Sequence, residues 1–287
     1  MKPSQRKIYD YIEKQYISDI AGGRDQRLKS ELVKARMIRL MQATTNPALL
    51  RQPISDFAAI EGVDFSSIKD DSDMLREILK YSENEIPAKY EKARDIIKDI
   101  IENGGKVIVW ACYIKNIEML SKYLESQGIE TRTLYGATPI AGDDLTEEDE
   151  EYSLTREAIV KEFHNPDSPF KVIIANPFAV SESISLHKAC HNAIYLERSF
   201  NAAHFLQSKD RIHRYGLKPG VETHYYYLVS KDSVDNTIHT RLQEKEQRLM
   251  EIIESMPIPL FDSYLGDDGD EDIKAVLRDY ARRTKTV

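Results

Sequence analysis

Cysteine is almost absent from this chain. Its 287 residues include two, Cys112 and Cys190, far apart in sequence. That excludes a disulfide framework and fits reduced thiols in a cytosolic protein. Long apolar runs are missing too, and none approaches the roughly 20 residues needed to span a bilayer, so no membrane partner is expected. The N-terminus, Met1 to Lys7, is polar and lacks the apolar stretch of a secretory signal. Nor does positive charge prevail. Forty Lys and Arg stand against 48 Asp and Glu, a net charge of −8. The balance argues against a surface coated with cations for nucleic acid. It leaves room for a local basic channel, because two acidic segments, 143–151 and 267–272, weigh on the sum. The insertion at 143–151 and the tail after 257 read as solvated loops rather than partner contacts.

The pattern that is present changes character near residue 104. Before it, the chain reads helical. Ile8, Tyr9, Ile12 and Tyr16 recur at helical spacing, Gly22-Gly23 interrupts, and Leu28, Leu32, Ala35, Ile38, Leu40 and Met41 continue a second amphipathic run to Asn46-Pro47. Residues 51–72 read as a connection and 73–102 as helix, interrupted at Pro87. After it, short apolar runs alternate with helical stretches. Strands are expected at 106–111, 130–135, 171–175, 193–196 and 224–229, and helices at 114–126 and 154–164. Alternation of this kind implies an α/β fold with a parallel sheet and helices on both faces. A long charged helix follows from Val234 to Ile253, then a break at Pro257 and Pro259, and a last short helix over 272–283. Three units are expected: a helical segment over 1–85, the α/β lobe over 86–233, and a brace helix with an acidic tail over 234–287.

Residues 207–216 read Gln-Ser-Lys-Asp-Arg-Ile-His-Arg-Tyr-Gly. On a helix, Arg211 and Arg214 would share a face and could point at one target. Arginine keeps its proton and offers a planar fork of donors suited to phosphate oxygens. His187, Cys190 and His191 lie close in sequence, but no second Cys/His pair stands nearby, so no metal site is expected. Trp110, Phe178 and Cys112 read as core, and of the alternating Tyr225-Tyr226-Tyr227 run one face reads as core.

Residues 104–217 resemble the C-terminal motor lobe of superfamily 2 helicases, and in particular the Swi/Snf-type ATPases. Gln207, Asp210, Arg211, His213, Arg214 and Gly216 match that family's last motif. Tyr195 to Asn201, Phe163 to Pro166, Leu134 to Pro139 and Lys106 to Leu120 resemble its earlier ones in the same order. Lys2 to Gln5 and Leu40 to Pro47 are similar to the helical stretch that joins its two lobes. The resemblance implies a RecA-like lobe acting on ATP and Mg²⁺, both held mainly by an N-terminal lobe. It implies catalytic arginine fingers at Arg211 and Arg214, with Gln207 and Asp210 beside the nucleotide. It also implies double-stranded DNA as partner, touched by Lys115, Gly136, Ala137, Thr138, Ser181, Ser183, Ser185 and Asn201.

Two departures stand out. Where the family has Ala-Gly-Gly-x-Gly-x-Asn-Leu, this chain has Ala179-Val180-Ser181-Glu182-Ser183-Ile184-Ser185-Leu186, and Ser199-Phe200 stands for two tryptophans. Loss of the glycines implies looser backbone approach to a ligand. The sequence also contains neither the Gly-x-x-x-x-Gly-Lys-Ser/Thr phosphate loop nor an Asp-Glu-x-His strand end. The expectation is therefore a second lobe that does not hydrolyse ATP alone, in a bacterial nucleoid-associated or a nuclear setting. The rival expectations are a non-catalytic interaction module on the same fold, or a lobe of an RNA helicase.

Overall fold

Val107-Ile-Val-Trp110 is buried along its whole length, because it occupies the middle of a parallel sheet covered on both sides. The computed structural model describes residues 1–22, 26–51, 72–140, 155–180, 184–214, 217, 220–255 and 269–284. The strands are β1 (Val107–Trp110), β2 (Thr131–Leu134), β3 (Val172–Ala175), β4 (Asn192–Tyr195) and β5 (His224–Tyr227). They pair in the order β2-β3-β1-β4-β5, every pair parallel. Parallel neighbours need crossovers, which the helices supply.

Alternation along the strands divides the core in two. Val107, Val109, Val172, Ile174, Ile194 and Leu196 face α4 (Ala88–Glu102) and α5 (Ile114–Ser126). Tyr90, Ala93, Ile97 and Ile100 give α4 its buried stripe, and Ile117, Leu120 and Leu124 give α5 its own. Each buried Ile or Leu among them contributes about 1.5–3 kcal/mol on burial. On the other face, Ile108, Trp110, Ile173, Ala175, Ala193 and Tyr195 meet α6 (Arg156–His164), α8 (Ala202–Lys209) and α9 (Val234–Ser255). Tyr225 and Tyr227 pack on this side and Tyr226 on the first. Both faces of the tyrosine run are thus occupied, where the sequence pattern had suggested one. The turn into β1 is tight: a Cβ on Gly105 would lie 2.9 Å from Ile100 Cγ2 and 3.0 Å from the Ile100 carbonyl oxygen.

The N-terminal helices are not a separate layer. α1 (Pro3–Gly22) and α2 (Gln26–Thr45) bury Ile8, Tyr9, Tyr16, Ile38 and Met41 in the same cluster as Trp110. Helix α2 ends where Asn46 precedes Pro47, and a 3₁₀ turn, Pro47–Arg51, follows. Asn46 turns that break into a junction. Its Oδ1 accepts from the Ala48 amide at 3.0 Å and its Nδ2 donates to Tyr90 Oη at 3.0 Å. Helix α3 (Ser72–Asn84) packs on that turn, and the last helix, α10 (Gly269–Thr284), is held to α1 by Arg283, whose Nη2 lies 2.7 Å from Glu13 Oε1. No helix among the described residues is long and apolar enough to cross a membrane. A short helix the sequence did not signal, α7 (Pro177–Val180), follows β3. The acidic segment 143–151, Ser181, Ser183, Gly216 and most of the acidic tail lie outside the described residues.

Candidate nucleotide and nucleic-acid face

Open parallel sheets bind ligands beyond the carboxyl ends of their strands. Here three of those ends are cross-linked. Glu197, just past β4, accepts from the Cys112 amide at 3.0 Å and the Tyr113 amide at 3.3 Å through Oε1, and from Asn116 Nδ2 at 2.9 Å through Oε2. Asn176, just past β3, donates from Nδ2 to the Cys112 carbonyl at 3.0 Å. Arg156, at the start of α6, joins the turn after β2 to α7, donating to the Tyr135 carbonyl at 3.1 Å and the Ala179 carbonyl at 3.3 Å. Glu197, Asn176 and Arg156 were not singled out from the sequence. For Glu197 and Asn176 the available signal was a charged or amide residue directly after an apolar run.

Burial raises the Glu197 carboxyl to about 7, against the pull of the Lys89 ammonium, the Tyr113 and Cys112 amides and Asn116. The folded state therefore binds a proton here that the unfolded chain releases near the ordinary carboxylate value. This group's contribution to stability is full below pH 4.5 and is lost as pH rises toward 7. Urea midpoints measured from pH 4.5 to 7 are expected to include a decline that Glu197→Gln removes, of at most ~1.4 kcal/mol per pH unit. Equal pH slopes for the two proteins would refute it.

Next along the chain, Arg198 is buried and stacks its guanidinium 4.5 Å from the Tyr227 ring centre and 5.8 Å from that of Phe205. Lys89, on α4, reaches the same region from below. Its ammonium lies 2.7 Å from Asp235 Oδ2 and donates to the Leu196 carbonyl at 3.0 Å, both side chains being buried.

The residues expected to meet nucleic acid fall in two places. Lys115 lies in the first turn of α5, 2.8 Å from Glu118. Gly136 and Ala137 are exposed in the turn after β2, and Thr138 Oγ1 closes that turn by accepting from the Tyr135 amide at 3.0 Å. Asn201 caps α8, its Oδ1 accepting from the His204 amide at 3.1 Å. These follow strands and line the carboxyl edge. Ser185 does not; it lies on the return path to β4 with Oγ 2.9 Å from His187 Nδ1.

The arginine pair is arranged differently from the helical spacing. Helix α8 stops at Lys209, and Arg211 and Arg214 lie beyond it. The chain tightens there. The Arg211 amide bonds to Ser208 O and the Ile212 amide to Lys209 O, i to i−3 contacts that turn Ile212 into the core. As a result the two guanidiniums diverge. Arg211 is buried, donating from Nε to the Gln207 carbonyl at 3.0 Å and from Nη1 to the Ile184 carbonyl at 3.1 Å. Its own carbonyl accepts from the Leu186 amide at 2.9 Å. Arg214 is exposed, and its guanidinium makes no hydrogen bond or ion pair among the described residues. Asp210 caps α8 and is exposed, and Gln207 is half-buried on its last turn. The arrangement offers one anchored arginine and one displayed one.

Residues 88–216 match the helicase conserved C-terminal domain. Among curated proteins, the chain is 23% identical over 213 residues to the chromatin remodeling factor mit1 of Schizosaccharomyces pombe, covering 74% of this chain and 13% of that protein. It is 28% identical over 163 residues to an uncharacterized ATP-dependent helicase of Mycoplasma pneumoniae, covering 57% of this chain and 14% of that one. Its fold is shared with the C-terminal part of the Fun30 ATPase domain, at a TM-score of 0.61 and 16% identity, covering 98% of this chain and 95% of that one.

Proposed function

We propose that this chain, which matches the helicase conserved C-terminal domain over residues 88–216, is the C-terminal lobe of a Swi/Snf-type superfamily 2 ATPase and completes an ATP-dependent translocase on double-stranded DNA. In this reading an N-terminal lobe holds ATP and Mg²⁺, and this lobe closes on it. The observation that carries the proposal is Arg214, exposed and with no side-chain hydrogen bond or ion pair among the described residues, next to a turn anchored by Arg211 and the buried Ile212. The residues present fit one side of a nucleotide. They offer an exposed guanidinium with no hydrogen bond or ion pair among the described residues and a neighbouring Gln207 and Asp210, and the sequence holds no phosphate-binding loop. Bound ATP with Mg²⁺ supplies the transferable phosphoryl group and neutralises part of its charge. Arg214 would stabilise charge on that group, while Arg211 sets the turn and Asp210 and Gln207 orient it.

The carboxyl edge would then meet the duplex backbone. Exposed Gly136 and Ala137, Lys115 and the Asn201 cap position phosphates without reading bases. Ser181 and Ser183 belong to the same proposed contact. The chain spans 13 to 14% of the two curated relatives compared, so the activity belongs to a larger polypeptide or assembly. One observation favours a second reading, an interaction module that kept the fold. The position of the family's asparagine is Ser185, and its hydroxyl already bonds to His187.

The test is ATP hydrolysis by the full-length protein with no nucleic acid, with duplex DNA and with duplex RNA, alongside the present chain alone. Stimulation by duplex DNA, with no turnover by this chain, is the expected result. Hydrolysis indifferent to nucleic acid would point to the second reading, and stimulation by RNA alone would replace DNA as the substrate.

A further inference from the structure

Asn116, in the first turn of α5, is fully buried and joins two groups of contacts into one series. Its Nδ2 donates to Glu197 Oε2 at 2.9 Å, and its Oδ1 accepts from the Tyr90 hydroxyl. Tyr90 Oη in turn accepts from Asn46 Nδ2 at 3.0 Å, and Asn46 Oδ1 accepts from the Ala48 amide at 3.0 Å. Asn46 Nδ2 also lies 3.4 Å from Asn116 Oδ1. Asn46, Tyr90, Asn116 and Glu197 are all buried. They come from the end of α2, the first turn of α4, the first turn of α5 and the segment after β4.

The series has a direction. A backbone amide nitrogen can only donate, and such amides stand at both ends: Ala48 at one, Cys112 and Tyr113 at the other. Inward from Ala48, each carboxamide or hydroxyl accepts on one side and donates on the other. One member must therefore accept on both sides, and an ionised carboxylate does so. Glu197 is that member, and the Lys89 ammonium on α4 favours its ionised form. A donor placed at position 197 would face the Asn116 Nδ2 donor. Asn116 would then have to turn over, presenting Nδ2 to Tyr90 and taking away the acceptor of its hydroxyl proton. In a buried series each such mismatch leaves a polar group unpaired, so the four members hold or fail together.

The two ends serve different parts of the molecule. Asn46 holds the Pro47–Arg51 turn, where the chain leaves α2. Glu197 holds the amides that lead into α5, whose Lys115 is next to Asn116, and it precedes the Asn201 cap of α8 on the same strand-end segment. Lys115 and Asn201 are two of the proposed duplex contacts. We propose that Asn46, Tyr90, Asn116 and Glu197 are positioning residues that fix Lys115 and Asn201 against the end of α2, so that a displacement of α1 and α2 reaches the duplex-facing edge. The inference rests on the translocase reading for what the coupling serves, and on the bonds alone for the coupling itself.

The experiment has two arms, both at pH 8, above the Glu197 midpoint of about 7. In the present chain, NMR follows hydrogen exchange of the Ala48 amide. Glu197→Gln and Asn116→Asp should each speed it about tenfold, although the Ala48 amide bonds to Asn46 and not to either of them. The double variant exchanges carboxylate and carboxamide between the two positions. It again sets a donor against an acceptor and should return the rate to within about twofold of the parent. Tyr90→Phe cuts the series in the middle, leaves the carboxylate bonded and should also speed exchange about tenfold. Ser121→Ala, which removes another buried α5 hydroxyl, one bonded to Thr131, should not. In the full-length protein the single variants of the series should lower duplex-stimulated kcat about tenfold with KM for ATP within about twofold, and the double variant should recover it. Unchanged Ala48 exchange in Glu197→Gln and Tyr90→Phe, or a double variant no better than the singles, overturns the inference. Unaltered turnover beside altered exchange overturns it as well. If the parent shows no duplex stimulation, the translocase reading fails and the exchange arm alone decides the coupling.

Discussion

Arg214→Ala is expected to lower ATP hydrolysis by the full-length protein about a thousandfold and to leave the lobe's melting curve within about 0.5 kcal/mol of the parent. The two halves of that expectation come from one geometry. An exposed guanidinium with no hydrogen bond among the described residues contributes little to folding. Directed at a transferring phosphoryl group in a water-poor cleft, the same charge acts where it is strongest. Arg211→Ala is the contrasting variant. That side chain satisfies the carbonyls of Gln207 and Ile184 from a buried position, and its loss should cost ~1–3 kcal/mol in urea unfolding. Hydrolysis would fall with it, because the turn that displays Arg214 is tied down there. Normal hydrolysis by Arg214→Ala would end its assignment as a finger; normal stability of Arg211→Ala would end the distinction between the two arginines.

Lys89→Ala should be the most destabilising single change on the α4 side, at ~3–5 kcal/mol. Truncation leaves the Asp235 carboxylate buried without its 2.7 Å partner and frees the Leu196 carbonyl. Asp235 would keep the Ser230 amide at 2.9 Å and the Thr44 hydroxyl at 3.0 Å, which do not replace a full charge. These contacts join the end of α2, the start of α4, the end of β4 and the start of α9, so the loss should appear as a lower midpoint of one cooperative transition. Asp235→Asn retains a hydrogen-bonding side chain of the same shape and should cost less. A midpoint for Lys89→Ala within experimental error of the parent would mean that desolvation of the pair already offsets its attraction.

The elements were legible because periodicity reports burial. Val107 to Trp110 and Val172 to Ala175 are apolar without interruption, and only a strand covered on both faces needs that. Asn46-Pro47 marked the end of α2 because the residue before proline avoids helical backbone. Helix α7 escaped notice because four residues hold no period. The arginine pair was misplaced on a helix because spacing alone cannot register Ile212. Its apolar side chain draws the chain into a tighter turn and sends Arg211 inward and Arg214 out.

By itself the sequence determined the α/β class, the strand order along the chain, the motif series that resembles a helicase C-terminal lobe, and the lack of a phosphate-binding loop. Each depends on residues near one another in the chain, whose order is the information. The tertiary structure alone decided which arginine is anchored and which displayed, that Glu197 cross-links two strand ends, and that Lys89 meets Asp235. Those facts depend on distances between residues far apart in sequence, and on burial, which turns a common charged side chain into a costly or a poised one.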